Sequence, residues 1–246
     1  MTQWPAGVDR IVLDTVDSTM TEAARVAASL TSPTWIMAHQ QTDGRGRRGR
    51  AWITPQGNLT ATLVFKPQCS PAQAAQRSFL AANALYHALA IYVPSEKLSL
   101  KWPNDVLLNG GKVAGILLES AGHRDEVSYL SIGIGVNLTT MPEGVKGATF
   151  APTSLKAAGG WDVGAVDFLT TLANAYADQE TLLATHGFNR IRTDWLKHAA
   201  KLGEVITART TVAEITGTFD TIDENGNLVL ITGEGPQTIP AADVYF

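Results

Sequence analysis

Between Leu98 and Asn137 the chain spells out apolar segments separated by tight-turn residues, a pattern that commits this stretch to an antiparallel sheet. Leu98-Ser-Leu100 leads into Lys101-Trp-Pro-Asn-Asp105. Val106-Leu-Leu108 then meets Asn109-Gly-Gly111, where an Asn-Gly pair favours a primed hairpin turn. Lys112 to Glu119 is the return strand, Gly122 to Glu126 a second hairpin turn, and Tyr129 to Asn137 the next strand. The residue before Pro103 is biased to extended backbone, which would aim the Lys101 ammonium in a defined direction. Gly115, inside the return strand, implies a bulge or the close approach of another group. Gly133 and Gly135 share one face of their strand and would leave it flat enough for a planar group.

The flanking sequence supplies further sheet and helices. Ile11 to Val16 is a first strand, and a helix runs from Asp17-Ser-Thr-Met20 to about Leu30, with Ser18 or Thr19 as cap and Thr19 with Glu22 at capping-box spacing. Trp35 to Ala38 is a short strand. Asn58 to Phe65 alternates, which predicts one face on a core. Ser70-Pro71 opens an alanine-rich helix that ends before Pro94. The stretch from Pro142 to Gly160 is turn-rich, and Asp162 or its neighbourhood caps a long helix that Gly187 ends, followed by a shorter one through Trp195. From Glu204 the pattern changes to short strands with regular turns, which suggests a small SH3-like barrel. We divide the chain at this change, 1–200 and 201–246.

Between the Trp35 strand and the Asn58 strand lies His39-Gln-Gln-Thr-Asp-Gly-Arg-Gly-Arg-Arg-Gly-Arg-Ala-Trp52. Four arginines within seven residues repel one another, so this segment does not serve the core. Glycines let its backbone approach a bound group, and guanidinium forks match phosphate or carboxylate. An Arg-Gly nucleic-acid segment, a solvated loop and a phosphate clamp all fit the segment taken alone. Net charge is −4, which disfavours a partner bound through a phosphate backbone. The 45% hydrophobic content argues for a folded core, and one cysteine excludes an internal disulfide framework. No segment is apolar for long enough to span a bilayer as a helix, and the first ten residues lack a signal-peptide pattern, so the expected compartment is cytoplasmic. With a strand beginning near residue 11, no N-terminal accessory domain is expected.

Ser18 has no implied histidine partner, and the five histidines lack metal-ligand spacing. Cations around a pocket without a nucleophile suit nucleotidyl transfer, where positioning and charge stabilisation dominate. The glycine pattern is not a P-loop.

Taken in order, Gly44-Arg-Gly-Arg-Arg-Gly-Arg50 with Trp52, Lys101-Trp-Pro-Asn-Asp105, Gly111-Lys-Val-Ala-Gly-Ile-Leu117 with Glu119, and Gly133-Ile-Gly-Val-Asn137 resemble the biotin protein ligase family over nearly the whole chain. The resemblance implies an α+β fold: a mixed β-sheet flanked by helices, of the class II aminoacyl-tRNA synthetase/biotin ligase-like kind, with a small C-terminal SH3-like β-barrel. It implies formation of biotinyl-5'-AMP from biotin and ATP with Mg2+, and transfer of biotin to one lysine of a biotin carboxyl carrier domain. Ser18, Thr19 and Gln41 would lie at the biotin end. Gly44, Arg45 and Arg47 would form the binding loop, with Trp52 covering the ureido ring or anchoring the loop base. Lys101 and Arg47 would act on the reacting carboxylate and phosphate. Gly115 and Gly133 would line the ligand bed. Arg48, Arg50, Asn104, Lys112 and Asn137 would serve ATP or the adenylate, Asn137 at the adenine edge. The metal ligands are not assigned.

Two departures accompany the resemblance. Met20 stands where the family generally has asparagine, and the DNA-binding domain of repressor-type members is missing, so a monofunctional ligase without DNA binding is expected. Lipoate or octanoyl transfer is the nearest enzymatic alternative, and an RNA-binding Arg-Gly module the non-enzymatic one. Neither a membrane partner nor a fixed assembly state is implied, although sheet edges could pair in a homodimer.

Overall fold

The computed structural model describes residues 3–123, 126–142 and 150–246. Its larger sheet has seven strands: β1 (Asp9–Val16), β2 (Thr34–Gln41), β3 (Leu59–Phe65), β4 (Leu98–Lys101), β5 (Asp105–Leu108), β6 (Gly111–His123) and β7 (Glu126–Val136). Their order is β1-β2-β3-β7-β6-β5-β4. Only β1 and β2 run parallel, so the sheet is mixed. The Asn109-Gly110 turn has φ of 51° and 78°, the two positive values of a type I′ hairpin that Asn-Gly tolerates. Residues 124 and 125 of the second predicted turn lie outside the described residues, but His123 pairs with Glu126 across it.

Helices cover both faces of this sheet. On one lie α2 (Pro71–Ala75), α3 (Arg77–Leu89) and α4 (Ala165–Leu196), packing Phe79, Leu85, Phe168 and Trp195 against Trp35, Leu59 and Leu63. Each such fully buried large side chain stabilises the fold by about 1.5–3 kcal/mol. On the other face α1 (Thr19–Val26) and the turn after it set Ala23 and Ala27 against Ile36 and Val64. Strand β3 is therefore buried on both faces, not one as its alternation implied: Leu59, Ala61 and Leu63 face the first layer, and Val64 faces α1.

Helix ends differ from expectation where side chains have other partners. Ser18 sits at the N-cap of α1 but makes no capping hydrogen bond, and the Thr19–Glu22 box does not form because Thr19 is turned inward to Gln41. Ser70 and Gln73 do form a capping box on α2. Helix α4 starts after Gly164, not Asp162. It is broken at Gly187 (φ 72°), where the sequence ended it. Residues 143–149 of the turn-rich stretch lie outside the described residues, while Ala151 to Thr153 run beside Lys112 of β6.

The C-terminal strands are β8 (Val205–Arg209), β9 (Glu214–Ile222), β10 (Leu228–Thr232), β11 (Gly235–Ile239) and β12 (Asp243–Tyr245). They form an antiparallel sheet in the order β11-β10-β9-β8-β12. The expected barrel is thus an open sheet: β11 and β12 end the order and no ladder joins them. This sheet packs Ile206, Phe219, Leu228 and Val244 into the same core as α3 and α4.

Candidate active site

Strand register builds the floor of one deep pocket. Lys101 pairs with Asp105, Asp105 with Gly115, Gly115 with Gly135, and Gly135 with Thr60, so five strands contribute one residue each to a single row on one face. The next row sets Leu117, Gly133 and Thr62 side by side. A cavity of about 410 Å³ lies over these rows. Its glycines make room: a Cβ at Gly135 would lie 2.3 Å from the Trp52 ring, and one at Gly133 would lie 2.7 Å from Met20 Sδ. The flat surface expected from these glycines exists, and Trp52 and Met20 rest on it. Gly115 answers to the same cause, with Trp52 and Lys112 at 3.1–3.3 Å from its notional Cβ.

At one end the polar groups are neutral. Thr19 donates from both its backbone N–H and its hydroxyl to Gln41 Oε1, at 2.8 and 3.0 Å, and accepts from the Thr62 hydroxyl at 2.8 Å. Gln41 thereby has its carbonyl oxygen engaged and its NH2 left as the donor for other groups. Ser18, buried beside it, lines the cavity with its hydroxyl free of a capping bond.

The other end is cationic. Lys101 is only 5% exposed, and its ammonium has Asp105 at 3.8 Å and the Phe150 ring at 4.9 Å. Burial pushes its pKa below the usual lysine value, although Asp105 pulls the other way. Lys112 Nζ approaches Asp105 Oδ1 at 2.6 Å and lies 5.5 Å from the Trp52 ring. Arg47 donates to Asn104 Oδ1 at 3.1 Å, and burial lowers its pKa also. Asn104 is held in turn by its own NH2 donating to the Ile116 carbonyl at 2.6 Å. A site with buried cations in excess of carboxylates is suited to an anion.

The arginine segment folds as a small hairpin over the cavity. Trp52 N–H bonds the Gly44 carbonyl at 2.8 Å, Gly46 N–H bonds the Arg50 carbonyl at 2.7 Å, and Arg48 at the tip has φ 56°. Trp52 therefore both closes the loop base and covers the glycine row. Arg45 makes a two-pronged pair with Glu119, at 2.8 and 3.2 Å, and bonds Thr21. Arg48 and Arg50 both reach Oδ2 of Asp243, at 2.6 and 2.7 Å.

Of the residues expected at the site, Ser18, Thr19, Gln41, Arg45, Arg47, Arg50, Trp52, Lys101, Asn104, Lys112, Gly115, Gly133 and Asn137 line this one cavity. Gly44 and Arg48 do not. Gly44 shapes the loop base, where a Cβ would lie 2.4 Å from the Trp52 carbonyl oxygen, and Arg48 points to Asp243. Asn137 uses its NH2 on the Thr153 carbonyl at 2.9 Å. Asp243 and Phe150 also line the cavity and were not anticipated, since neither stands in a motif and Asp243 arrives from the far end of the chain. Among the described residues no cluster of three His, Cys, Asp or Glu side chains could hold a metal ion.

The glycine rows and the cationic end give the sheet a cavity suited to an anion, and comparison identifies the family of the chain. Residues 12–137 match the biotin/lipoate A/B protein ligase family and residues 201–246 match the biotin protein ligase C-terminal domain. The chain belongs to this family. It is 48% identical to the biotin--[acetyl-CoA-carboxylase] ligase of Paracoccus denitrificans, over 96% of this chain and 99% of that one. It is 31% identical to the bifunctional ligase/repressor BirA of Bacillus subtilis, over 97% of this chain and 74% of the relative. The biotin protein ligase of Aquifex aeolicus, solved in complex with biotin and ATP, superposes with a TM-score of 0.80 at 26% identity, covering 96% of this chain and 98% of that one.

Proposed function

We propose that this chain is a biotin protein ligase that joins biotin to ATP, forming biotinyl-5'-AMP and pyrophosphate, and then transfers biotin to the lysine of a biotin carboxyl carrier domain. The likeness to the Paracoccus ligase along almost the full length of both chains supports the activity. The observation that carries the site assignment is the row from Lys101 to Thr60, which joins a cationic end to a neutral hydrogen-bonding end across one cavity.

In this reading the fused rings lie near Ser18 and the Gln41 NH2, and the carboxylate is directed to Lys101 and Arg47. A carboxylate oxygen attacks the α-phosphorus, the bond to the β-phosphate bridging oxygen breaks, and pyrophosphate leaves. The protein contributes alignment and positive charge, and Lys101 and Arg47 gain most as negative charge builds on the phosphoryl oxygens. Magnesium enters as part of the Mg-ATP substrate, coordinated through its phosphates. In the second step the acceptor amine attacks the acyl carbon and AMP leaves. That amine must lose a proton, and Asp105, already set between Lys101 and Lys112, is the carboxylate at hand to take it.

We divide the enzyme at 200/201, assign the reaction to the cytoplasm, and leave a homodimer through the edge strand β1 to be tested by light scattering. Among the described residues no helix is long and apolar enough to cross a membrane. The deciding experiment is mass-spectrometric detection of biotinyl-5'-AMP from purified protein with biotin, ATP and magnesium, followed by addition of a carrier domain. Adenylate and a biotinylated lysine are the expected products. Transfer from lipoyl or octanoyl donors without any biotinyl adenylate would overturn the substrate assignment.

A further inference from the structure

The loop arginines divide by direction. Arg47 turns inward to Asn104, while Arg48 and Arg50 converge on one carboxylate oxygen of Asp243, the first residue of β12 in the C-terminal sheet. Arg48 does not line the cavity at all. Asp243 is only 14% exposed, so solvent screens these pairs less than pairs between fully exposed side chains. The span is long in sequence and short in space: a loop between β2 and β3 is tied to the last strand of the chain.

We propose that Asp243 is a positioning residue that latches the arginine loop over the pocket and so retains the activated intermediate, with Arg48 and Arg50 acting as the catch. This rests on the adenylate-forming activity proposed above. The physical basis is charge. A segment with four arginines resists folding against a pocket that already holds Lys101 and Lys112, and a carboxylate on the opposite wall offsets that repulsion. Arg47 forms no ion pair with Asp243 at contact distance and instead lines the cavity, bonded to Asn104. A mixed anhydride is exposed to water whenever the loop lifts, so the lifetime of the closed state sets how much intermediate reaches the acceptor lysine.

The test compares wild type with Asp243→Asn, Asp243→Glu and Arg48→Ala. Radiolabelled biotinyl-5'-AMP is formed on the full-length enzyme and its release is timed against excess unlabelled biotin. Release about tenfold faster in Asp243→Asn is expected, with partial restoration in Asp243→Glu. Arg48→Ala, altered at an exposed position, should accelerate release by itself and add little in combination with Asp243→Asn, because both break one interaction. In parallel, trypsin should cut after Arg48 or Arg50 several-fold faster in Asp243→Asn than in wild type, with and without biotin and ATP. Unchanged release and unchanged cleavage overturn the latch. So does tighter ATP binding with unchanged release, which would make Asp243 a competitor for the phosphates. If the wild type forms no adenylate, the activity reading fails, and the trypsin comparison alone still decides whether Asp243 holds the loop.

Discussion

At the Ser18 end of the pocket, hydroxyls and an amide hold one another through neutral hydrogen bonds, whereas at the Lys101 end Lys101, Lys112, Arg47 and Arg50 stand together beside two carboxylates, Asp105 from the neighbouring strand and Asp243 from the far end of the chain. The first end comes from adjacent elements, α1, β2 and β3, where Thr19 and Thr62 find their acceptors without bringing charge out of water and the Gln41 NH2 is left facing the cavity. The second gathers like charges, and its order depends on Asp105 and Asp243. A recognition end can thus be built rigid and cheap in free energy, while an end meant for a transient anion must stay under-neutralised and be held by long-range contacts.

The largest effect should come from removing the central cation. Lys101→Met is expected to lower the rate of adenylate formation by about 10²- to 10³-fold. Because burial already disfavours the ammonium, the melting temperature should hold or rise. A variant that loses activity and melting temperature together would break the comparison, since Lys101 would then be a structural partner of Asp105. At the neutral end, Gln41→Leu should raise the KM for biotin by roughly 5- to 150-fold, as expected when a buried partner is lost, with a smaller change in kcat. Equal losses in both constants would mean that Gln41 acts on the transition state as well.

A pH profile sharpens the contrast. The folded enzyme holds Lys101 below the ordinary value of 10.5, so the ammonium needed for the anion is lost at a lower pH than for a free lysine. Adenylation kcat/KM should decline on the alkaline side below pH 10.5, and Lys101→Arg should carry that limb upward. The linkage sign for stability is opposite. The unfolded chain keeps the Lys101 proton longer than the folded chain, so the contribution of this residue to stability rises with pH between the lowered value and 10.5. The smallest effect is the control outside the pocket: Ser70→Ala removes the capping box of α2 and should cost about 0.5–2 kcal/mol in chemical denaturation, with adenylation unchanged.

Local chemistry made much of this legible in the sequence. The Asn109-Gly110 hairpin, the glycine-faced strand β7, the break at Gly187 and the Ser70 cap are each decided by a few neighbouring residues, and each forms as expected. The arginine loop and Lys101 stand out by charge, and both line or cover the one cavity, although the loop taken alone fits a nucleic-acid segment or a solvated loop as well. What the sequence did not disclose depends on contacts far apart along the chain. Thr19 offers a capping box to α1 on local evidence, yet its hydroxyl is taken by Gln41, and the competing partner is visible only once β2 lies beside it. Asp243 carries no local mark of function and acquires one by meeting Arg48 and Arg50. Openness of the C-terminal sheet is likewise a question of which edges meet, and strand lengths do not decide it.

The break at Gly187 has a mechanical consequence. Beyond it α4 turns so that the chain following it clips onto β4, with Leu100 N–H bonding the His198 carbonyl at 2.7 Å and Ala200 N–H bonding the Leu100 carbonyl at 2.8 Å. The residue after Leu100 is Lys101. The C-terminal sheet is thus tied in one residue from Lys101, and with Trp102 Nε1 donating to the Gly226 carbonyl at 3.0 Å and Arg192 to the Ile222 carbonyl at 3.2 Å it is braced at several points, like a lintel set into both posts. The wall that carries Asp243 is therefore fixed to the same strand that carries Lys101, and the width of the pocket is set beside that residue.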